Sequence, residues 1–336
     1  MATNNMPNPP RVSSAATQSS RRLRDFGLLA GLVLLVLAGL AGLAAATGWE
    51  ETWNALRDVT AAQFSLLLAL SLINYFFRGM RWHLFATRLG LSTTYLQNLR
   101  HYLGGFAMTV TPGRVGELVR MRWLRRETGW SFEKTAPLVL IDRAADLSAM
   151  AILLAAGLAL STTGMTGGIP VVILALAGAY VATRPRLMQG VGDAAHSLTG
   201  KRFPRLFAKI RRAARSLGAF SGPSILLAAG VLGVIGWFAE AYAFHLLLGW
   251  MGADVNLWRA TAIFVFATLA GGLTGAPGGL GGAEAAMVAL LVLDGTPAEI
   301  AVPATLIIRV TTLWFAIGIG LLIFPFAERI SMKAMS

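Results

Sequence analysis

Seven ionisable side chains stand inside long apolar runs of this 336-residue chain: Arg78, Asp142, Arg143, Asp146, Glu240, Glu284 and Arg309. Arg114 and Glu117 stand at the mouth of a further apolar stretch that Gly and Pro interrupt. A charged side chain at bilayer depth costs at least about 2.5 kcal/mol on insertion scales, so each must be paired or functional. Bolting helices together is a poor reason for so many, because desolvation of a buried ion pair can exceed its Coulombic gain. A polar cavity for a charged headgroup is a better one. Arg grips phosphate bidentately, and carboxylates balance the arginines or accept a cationic group. Arg143 and Asp146 are i,i+3 and pair locally; Asp142 and Asp146 are i,i+4, so one helix face carries two carboxylates beside a guanidinium. Arg309 has no carboxylate within its own run, about 300–326, and needs a distant partner, with Glu284 and Glu240 the nearest candidates. The four His are scattered and none is assigned as a ligand. With no Cys, thiolate metal sites and thiol catalysis are excluded. No metal site and no cofactor is expected.

Two stretches position these residues and are themselves unusual. Residues 101–118 carry Gly104-Gly105, then Pro112, Gly113, Gly116 and Glu117, with Arg143 inside the next apolar run. Residues 262–293 carry Gly271-Gly272, then Pro277, Gly278, Gly281, Gly282 and Glu284, with Arg309 inside the next apolar run at nearly the same spacing. Upstream, Arg78 precedes Gly90 by the same interval as Glu240 precedes Gly252. Pro removes a donor and Gly permits unusual dihedrals, so both stretches read as broken or re-entrant segments with hinge-like backbone. Such backbone is tolerated at membrane depth only where protein buries it or a wet cavity borders it. Paired in this way, the two stretches suggest an inverted repeat with a site between its halves. Gly279 to Gly282 superficially matches a phosphate loop, but no strand precedes it and no Lys follows, which argues against nucleotide binding.

The whole composition agrees with a membrane setting. The chain is 55% hydrophobic and 13% charged, with mean hydropathy +0.62. Soluble domains are about 25% charged, roughly twice as much. Apolar runs at about 26–47, 62–80, 136–160, 168–183, 222–250 and 300–326 predict six full spans. The expected fold is an all-α polytopic bundle of these six spans plus the two broken segments. Segments 1–24, 81–134, 184–220 and 327–336 hold 4, 9, 9 and 2 of the 29 Lys and Arg. That asymmetry predicts cytoplasmic N- and C-termini and accounts for most of the net charge of +13, so nucleic acid is not an expected partner. Residues 1–24 read as a disordered basic tail, 25–326 as the transmembrane domain and 327–336 as a short cytoplasmic tail. Within the domain, 201–219 reads as a basic amphipathic helix on the inner leaflet. Trp82, Trp123, Trp130, Trp250 and Trp258 fall at span edges, where interfacial anchoring is the expected role.

Asn74-Tyr75-x-x-Arg78-x-x-Arg81-Trp82, the string Thr111 to Glu117, Asp142-Arg143 with Asp146, and the glycines of 278–284 with Arg309 resemble the lysylphosphatidylglycerol synthase transmembrane family, also described as a flippase-like domain. The resemblance covers about residues 25–326. It implies movement of a phospholipid or other charged-headgroup lipid between leaflets of a bacterial inner membrane. The implied partners are membrane lipids, anionic or aminoacylated phospholipid foremost, and a separate lipid synthase. In bifunctional relatives a soluble aminoacyl-transferase domain follows the membrane region. This sequence stops at Ser336, so the transport half without the synthase half is expected, and a transporter rather than an enzyme. The competing readings are an intramembrane lipid-modifying enzyme, with Glu117 or Asp142 as general base, and a lipid-binding subunit of a separate synthase. No ATP site is visible, so movement is expected to be facilitated or gradient-coupled.

Overall fold

The computed structural model describes residues 59–109, 115–161, 168–198 and 217–334, together with Leu34 and Arg57. The expected N-terminal tail, the first span and most of the 201–219 helix lie outside the described residues. By contacts the chain divides into Met1–Gly42 and Leu43–Ser336, and the description below concerns the second unit.

Among the described residues every regular element is helical. Helix α1 (Ala61–Arg88) is opened by a capping box in which Thr60 and Gln63 satisfy each other's backbone N–H groups. Helix α2 (Tyr95–Gly104) repeats the device with Thr94 and Gln97, then tightens into a 3₁₀ turn, Gly105–Met108. After α3 (Val115–Thr128) come the long α4 (Phe132–Leu160), α5 (Gly168–Thr183) and α6 (Pro185–Leu198). A second series follows: α7 (Pro223–Trp250), α8 (Leu257–Leu273), a 3₁₀ turn at Pro277–Gly279, and α9 (Gly282–Leu293). The chain ends with α10 (Ala298–Arg309), a π segment at Val310–Trp314, and α11 (Phe315–Lys333).

Three of these helices are long and apolar enough to cross a membrane: α1, α7, and the continuous rod from Ala298 to Lys333. Protein covers only 28% of the apolar window of α1, and Leu66, Leu72, Ile73, Phe76 and Met80 face outward. In water such a surface would be an aggregation site; in a bilayer it is the lipid face. The protein is an all-α polytopic membrane protein. Helix α5, at 16 residues, rises about 24 Å and is short of a full crossing by itself. The segment expected as a C-terminal tail is helical as far as Lys333, with Ala327 and Ser331 buried.

Helix α1 lies along α7; α4 packs on α7 and α8; α11 packs on α2 and on the 105–108 turn. The last contact is so close that a Cβ on Gly320 would overlap the Ala107 nitrogen. Two large apolar cores and a smaller cluster of Val119, Trp123 and Ala327 lie among the described residues. One joins Leu67 of α1 to Leu153, Leu247 and Ile307; the other joins Tyr75, Trp82 and Phe85 of α1 to Ile141, Phe220 and Ala229. One large core gives way to the other between Ala145 and Leu147 on α4, at Asp146, between Leu70 and Tyr75 on α1, and between Ala229 and Val234 on α7. Asp146 and Arg78 therefore lie at or near the seam, and Glu240 lies alongside the first core.

Two expectations fail here. Helix α1 does not stop where its apolar run stops, but continues two further turns that bury Arg81, Trp82, Phe85 and Ala86. Arg81 is therefore buried in the protein interior and not a loop charge. Trp82 and Trp123 are likewise wholly buried, Trp123 donating through Nε1 to Glu328 at 2.8 Å, so neither is an interfacial anchor.

Candidate functional site

A cavity of about 640 Å³ opens in the seam. Of the residues singled out by sequence, Arg78, Arg143, Asp146, Glu240, Gly278 and Arg309 line it. Asp142 and Glu284 sit one layer behind and hold the arginines. Gly281 and Gly282 shape the turn before α9 without lining the cavity. Pro112, Gly113 and Arg114 lie outside the described residues. Gly116 and Glu117 belong to the first turn of α3, and Pro277 opens the 3₁₀ turn; nothing further is described of these three.

Asp146 is the hub of one wall. It accepts from Arg78 Nη2 at 2.8 Å, Arg81 Nη2 at 2.6 Å and Trp237 Nε1 at 3.1 Å, and Arg143 Nη1 lies 3.2 Å away. Thus α1, α4 and α7 are tied at a single carboxylate. Asp142 takes the other side of Arg81 at 2.6 Å and of Arg143 at 3.0 Å. The local Arg143–Asp146 pair expected from i,i+3 spacing is present. Its carboxylates are shared with two guanidiniums from another helix. Such sharing satisfies the desolvated charges without leaving one orphaned.

The opposite wall is built on Arg309. Its Nε donates to Glu284 Oε1 at 2.5 Å and its Nη2 to the Gly278 carbonyl at 3.0 Å. The distant partner is therefore Glu284 and not Glu240. The carbonyl is presented because Gly278 adopts φ +63°, a left-handed conformation that L side chains resist. Gly281, at φ +80°, then turns the chain into α9, whose first turn carries Glu284. Immediately after Arg309 the helix widens into the π segment, and Tyr75 Oη donates to the Thr312 carbonyl at 2.5 Å. A π insertion of this kind re-aims side chains over one turn and is frequent at functional sites.

Among the cavity and wall residues not singled out as site residues by sequence are Tyr75, Arg81, Arg120 and Trp237. Tyr75 entered only as a member of the family string, and Arg81 as a member of that string and as a loop charge. Tyr75 and Arg81 stand i−3 and i+3 from Arg78, a spacing that places them on the same face once the helix is known to continue. Trp237 stands i−3 from Glu240. Arg120 lines the cavity with its guanidinium 4.2 Å from the Tyr102 ring centroid, 5.4 Å from Trp82 and 5.7 Å from Phe106. Cation–π contact of this kind helps hold a buried cation.

Outside the spans, Arg100 Nη2 lies 2.7 Å from Glu127 and His101 Nε2 lies 3.1 Å from it, joining α2 to α3. Burial pushes the Glu127 carboxyl up, but hydrogen bonds from His101 and Gln97 and the Arg100 charge outweigh it and hold the group below its ordinary value.

Known proteins resemble this chain along its length. A UPF0104 membrane protein of Methanothermobacter thermautotrophicus is 22% identical over 334 residues, covering 90% of this chain and 97% of that protein. Another match to a UPF0104 membrane protein of the same organism is 27% identical over 106 residues, 32% of this chain, and spans about a third of that relative's length, 31%. The family described as the lysylphosphatidylglycerol synthase TM region matches residues 26–320, which contain every cavity-lining residue, and this chain belongs to that family.

Proposed function

We propose that this protein moves a phospholipid between the leaflets of a bilayer. In this reading the headgroup occupies the cavity and the acyl chains remain in lipid. The observation that carries it is the cavity itself, at the depth of the spans, with Arg78, Arg143 and Arg309 on its walls. Its volume of about 640 Å³ suits a phosphate headgroup and is too small for two acyl chains as well. Leu174 of α5 and Leu273 of α8 also line it and are 61% and 70% exposed, as expected where a cavity meets the lipid-facing surface and acyl chains pass out.

The inverted repeat belongs to the same proposal and has support in the element boundaries. Helices α1 and α7 are of equal length, 28 residues each. They begin at Ala61 and Pro223, an offset of 162 in the numbering. Each ends two residues before a left-handed glycine, Gly90 and Gly252. Helices α2 and α8 begin with the same offset of 162, and α4 and α10 with one of 166. Arg143 and Arg309 then fall at the same position of matching helices. The packing is reciprocal, with α4 against the second series' α8 and α11 against the first series' α2. A two-fold relation produces that exchange of partners. With N- and C-termini on the cytoplasmic side of an inner membrane, one hairpin enters from each face, and alternating access follows from rocking one half against the other.

The test is leaflet exchange. Purified protein in liposomes should accelerate exchange of headgroup-labelled phospholipids, and Arg309→Ala should remove the acceleration while still inserting. Equal exchange in a well-folded Arg309→Ala protein would overturn the assignment.

A further inference from the structure

Glu240 is the odd member among the cavity's charges. Arg78, Arg143 and Arg309 each reach a carboxylate, and Asp146 gathers donors from three helices. Glu240 lines the same cavity and is 5% exposed. Among the described residues it has neither an ion-pair nor a hydrogen-bond partner. Around it stand Arg78 and Tyr75 from α1, Asp146 and Arg143 from α4, and Arg309 from α10. Helix α8, also packed on α7, brings Thr268 to the cavity; its one charged residue, Arg259, binds Asp294 at the other end of the hairpin.

The matching of the two series explains why this carboxylate is unmatched. In the first series Arg78 meets Asp146. In the second, Glu240 stands where Arg78 stood, at the offset of 162. The residue in the place of Asp146, at the offset of 166, is Thr312. Thr312 is neutral, its hydroxyl donates to the Ile308 carbonyl at 2.6 Å, and its own carbonyl is taken by Tyr75. An ion pair in one half has become a lone carboxylate in the other, in a cavity otherwise furnished with guanidiniums. A phosphate entering between Arg78 and Arg309 would meet a like charge there unless the carboxylate carried a proton.

We infer that Glu240 is a proton-binding site that moves one proton with each anionic headgroup. An O–H bond forms on a Glu240 carboxylate oxygen as the phosphate enters, with the proton drawn from the aqueous side to which the cavity is open. The bond breaks as the headgroup leaves, and the proton passes to water on the other side. Phosphodiester and proton together carry no net charge, so the step avoids moving an ion through low dielectric. Coupling is reciprocal: protonation strengthens headgroup binding by the factor by which the headgroup strengthens protonation. The inference rests on the lipid-translocation reading, and two measurements separate the fates of the two.

The first is infrared difference spectroscopy of the full chain in nanodiscs of zwitterionic lipid, between about pH 8 and about pH 5. A carbonyl stretch of a buried carboxylic acid should grow in on acidification and be missing from Glu240→Gln. The second is exchange of phosphatidylglycerol in liposomes. It should rise roughly tenfold across the same range in the wild type. In Glu240→Gln it should proceed at one rate throughout, and an imposed proton gradient should no longer drive net accumulation in one leaflet. A band that persists in Glu240→Gln overturns the proton site. So does exchange in that variant with the wild-type pH dependence. If the band is lost as expected but no lipid exchanges at any pH, the site stands and the translocation reading falls. If Glu240→Gln affects only an amine-bearing lipid such as lysylphosphatidylglycerol, and no band titrates, the carboxylate is a ligand for the ammonium and the proton site is overturned.

Discussion

Replacing Asp146 by Asn tests whether the cavity wall is organised around one carboxylate. The substitution keeps the shape and removes the charge that Arg78, Arg81, Arg143 and Trp237 converge upon. The four do not lose equally. Arg81 and Arg143 keep Asp142, at 2.6 Å and 3.0 Å. Arg78 has no second carboxylate in ion-pair contact among the described residues, Glu240 being near but not bonded to it. It retains the Asn74 amide oxygen at 3.4 Å and the Trp237 ring, whose centroid is 4.8 Å from its guanidinium carbon. Stranding a buried charge costs about 3–5 kcal/mol. The new amide oxygen still accepts one bond, returning about 1 kcal/mol, so the expected loss is roughly 2–4 kcal/mol. Arg78→Met should be milder, because Asp146 keeps three of its donors. The double variant Arg78→Met/Asp146→Asn removes both ends and should recover most of the loss, giving a coupling of about 2 kcal/mol in a double-mutant cycle. The assay is equilibrium unfolding in mixed micelles, followed by far-ultraviolet circular dichroism. An Asp146→Asn protein within about 0.5 kcal/mol of wild type would refute the reasoning. So would a double variant as unstable as the sum of the singles, since the charges would then not be partners.

Three further outcomes follow from separate features. Arg309→Lys should lower exchange at least about tenfold with little change in fold, because one ammonium cannot span both Glu284 and the Gly278 carbonyl as the planar fork does; wild-type exchange would show that charge alone suffices. Gly320→Ala should lose about 1–3 kcal/mol by overpacking, since its Cβ would overlap the Ala107 nitrogen; an unchanged melting temperature would place α11 elsewhere. The Glu127 carboxyl is held below its ordinary value, so its ion pairs stabilise the fold fully above about pH 4.5 and lose that contribution as pH falls through the lowered value. The melting-temperature gap between wild type and Glu127→Gln should therefore close on acidification; a gap constant from about pH 7 to about pH 3 contradicts the linkage.

Much of this architecture was legible in the sequence because membranes reward crude signals. Long apolar runs marked α1, α4, α7 and the final rod, since a span needs about 20 apolar residues whatever its neighbours. Arg309 was assigned a distant carboxylate because none lay nearby in its run and a bare guanidinium at that depth is too costly, and Glu284 is its partner. Gly278 and Gly281 were recognised as backbone residues, and both are left-handed. What the sequence hid is equally physical. The end of an apolar run marks where lipid contact ends, not where a helix ends, so Arg81 was counted among the loop charges. Its burial depends on Asp142 and Asp146, 61 and 65 residues away. The π segment over Val310–Trp314 has no local signature, because what allows it is Tyr75, 237 residues distant, taking up the freed carbonyl.

The matched series and the mismatched charges bear on each other. In the proposed repeat the helix boundaries match, down to the glycines that follow α1 and α7, and Arg143 matches Arg309, while two other charged positions differ: Arg78 against Glu240, Asp146 against Thr312. The first wall is tied at Asp146 by donors from α1, α4 and α7. The second holds Arg309 through one carboxylate and one carbonyl in a glycine turn, and leaves Glu240 open to the cavity. Of the two walls, the second has fewer bonds to break, so under the proposed function it is the wall that moves when a headgroup binds.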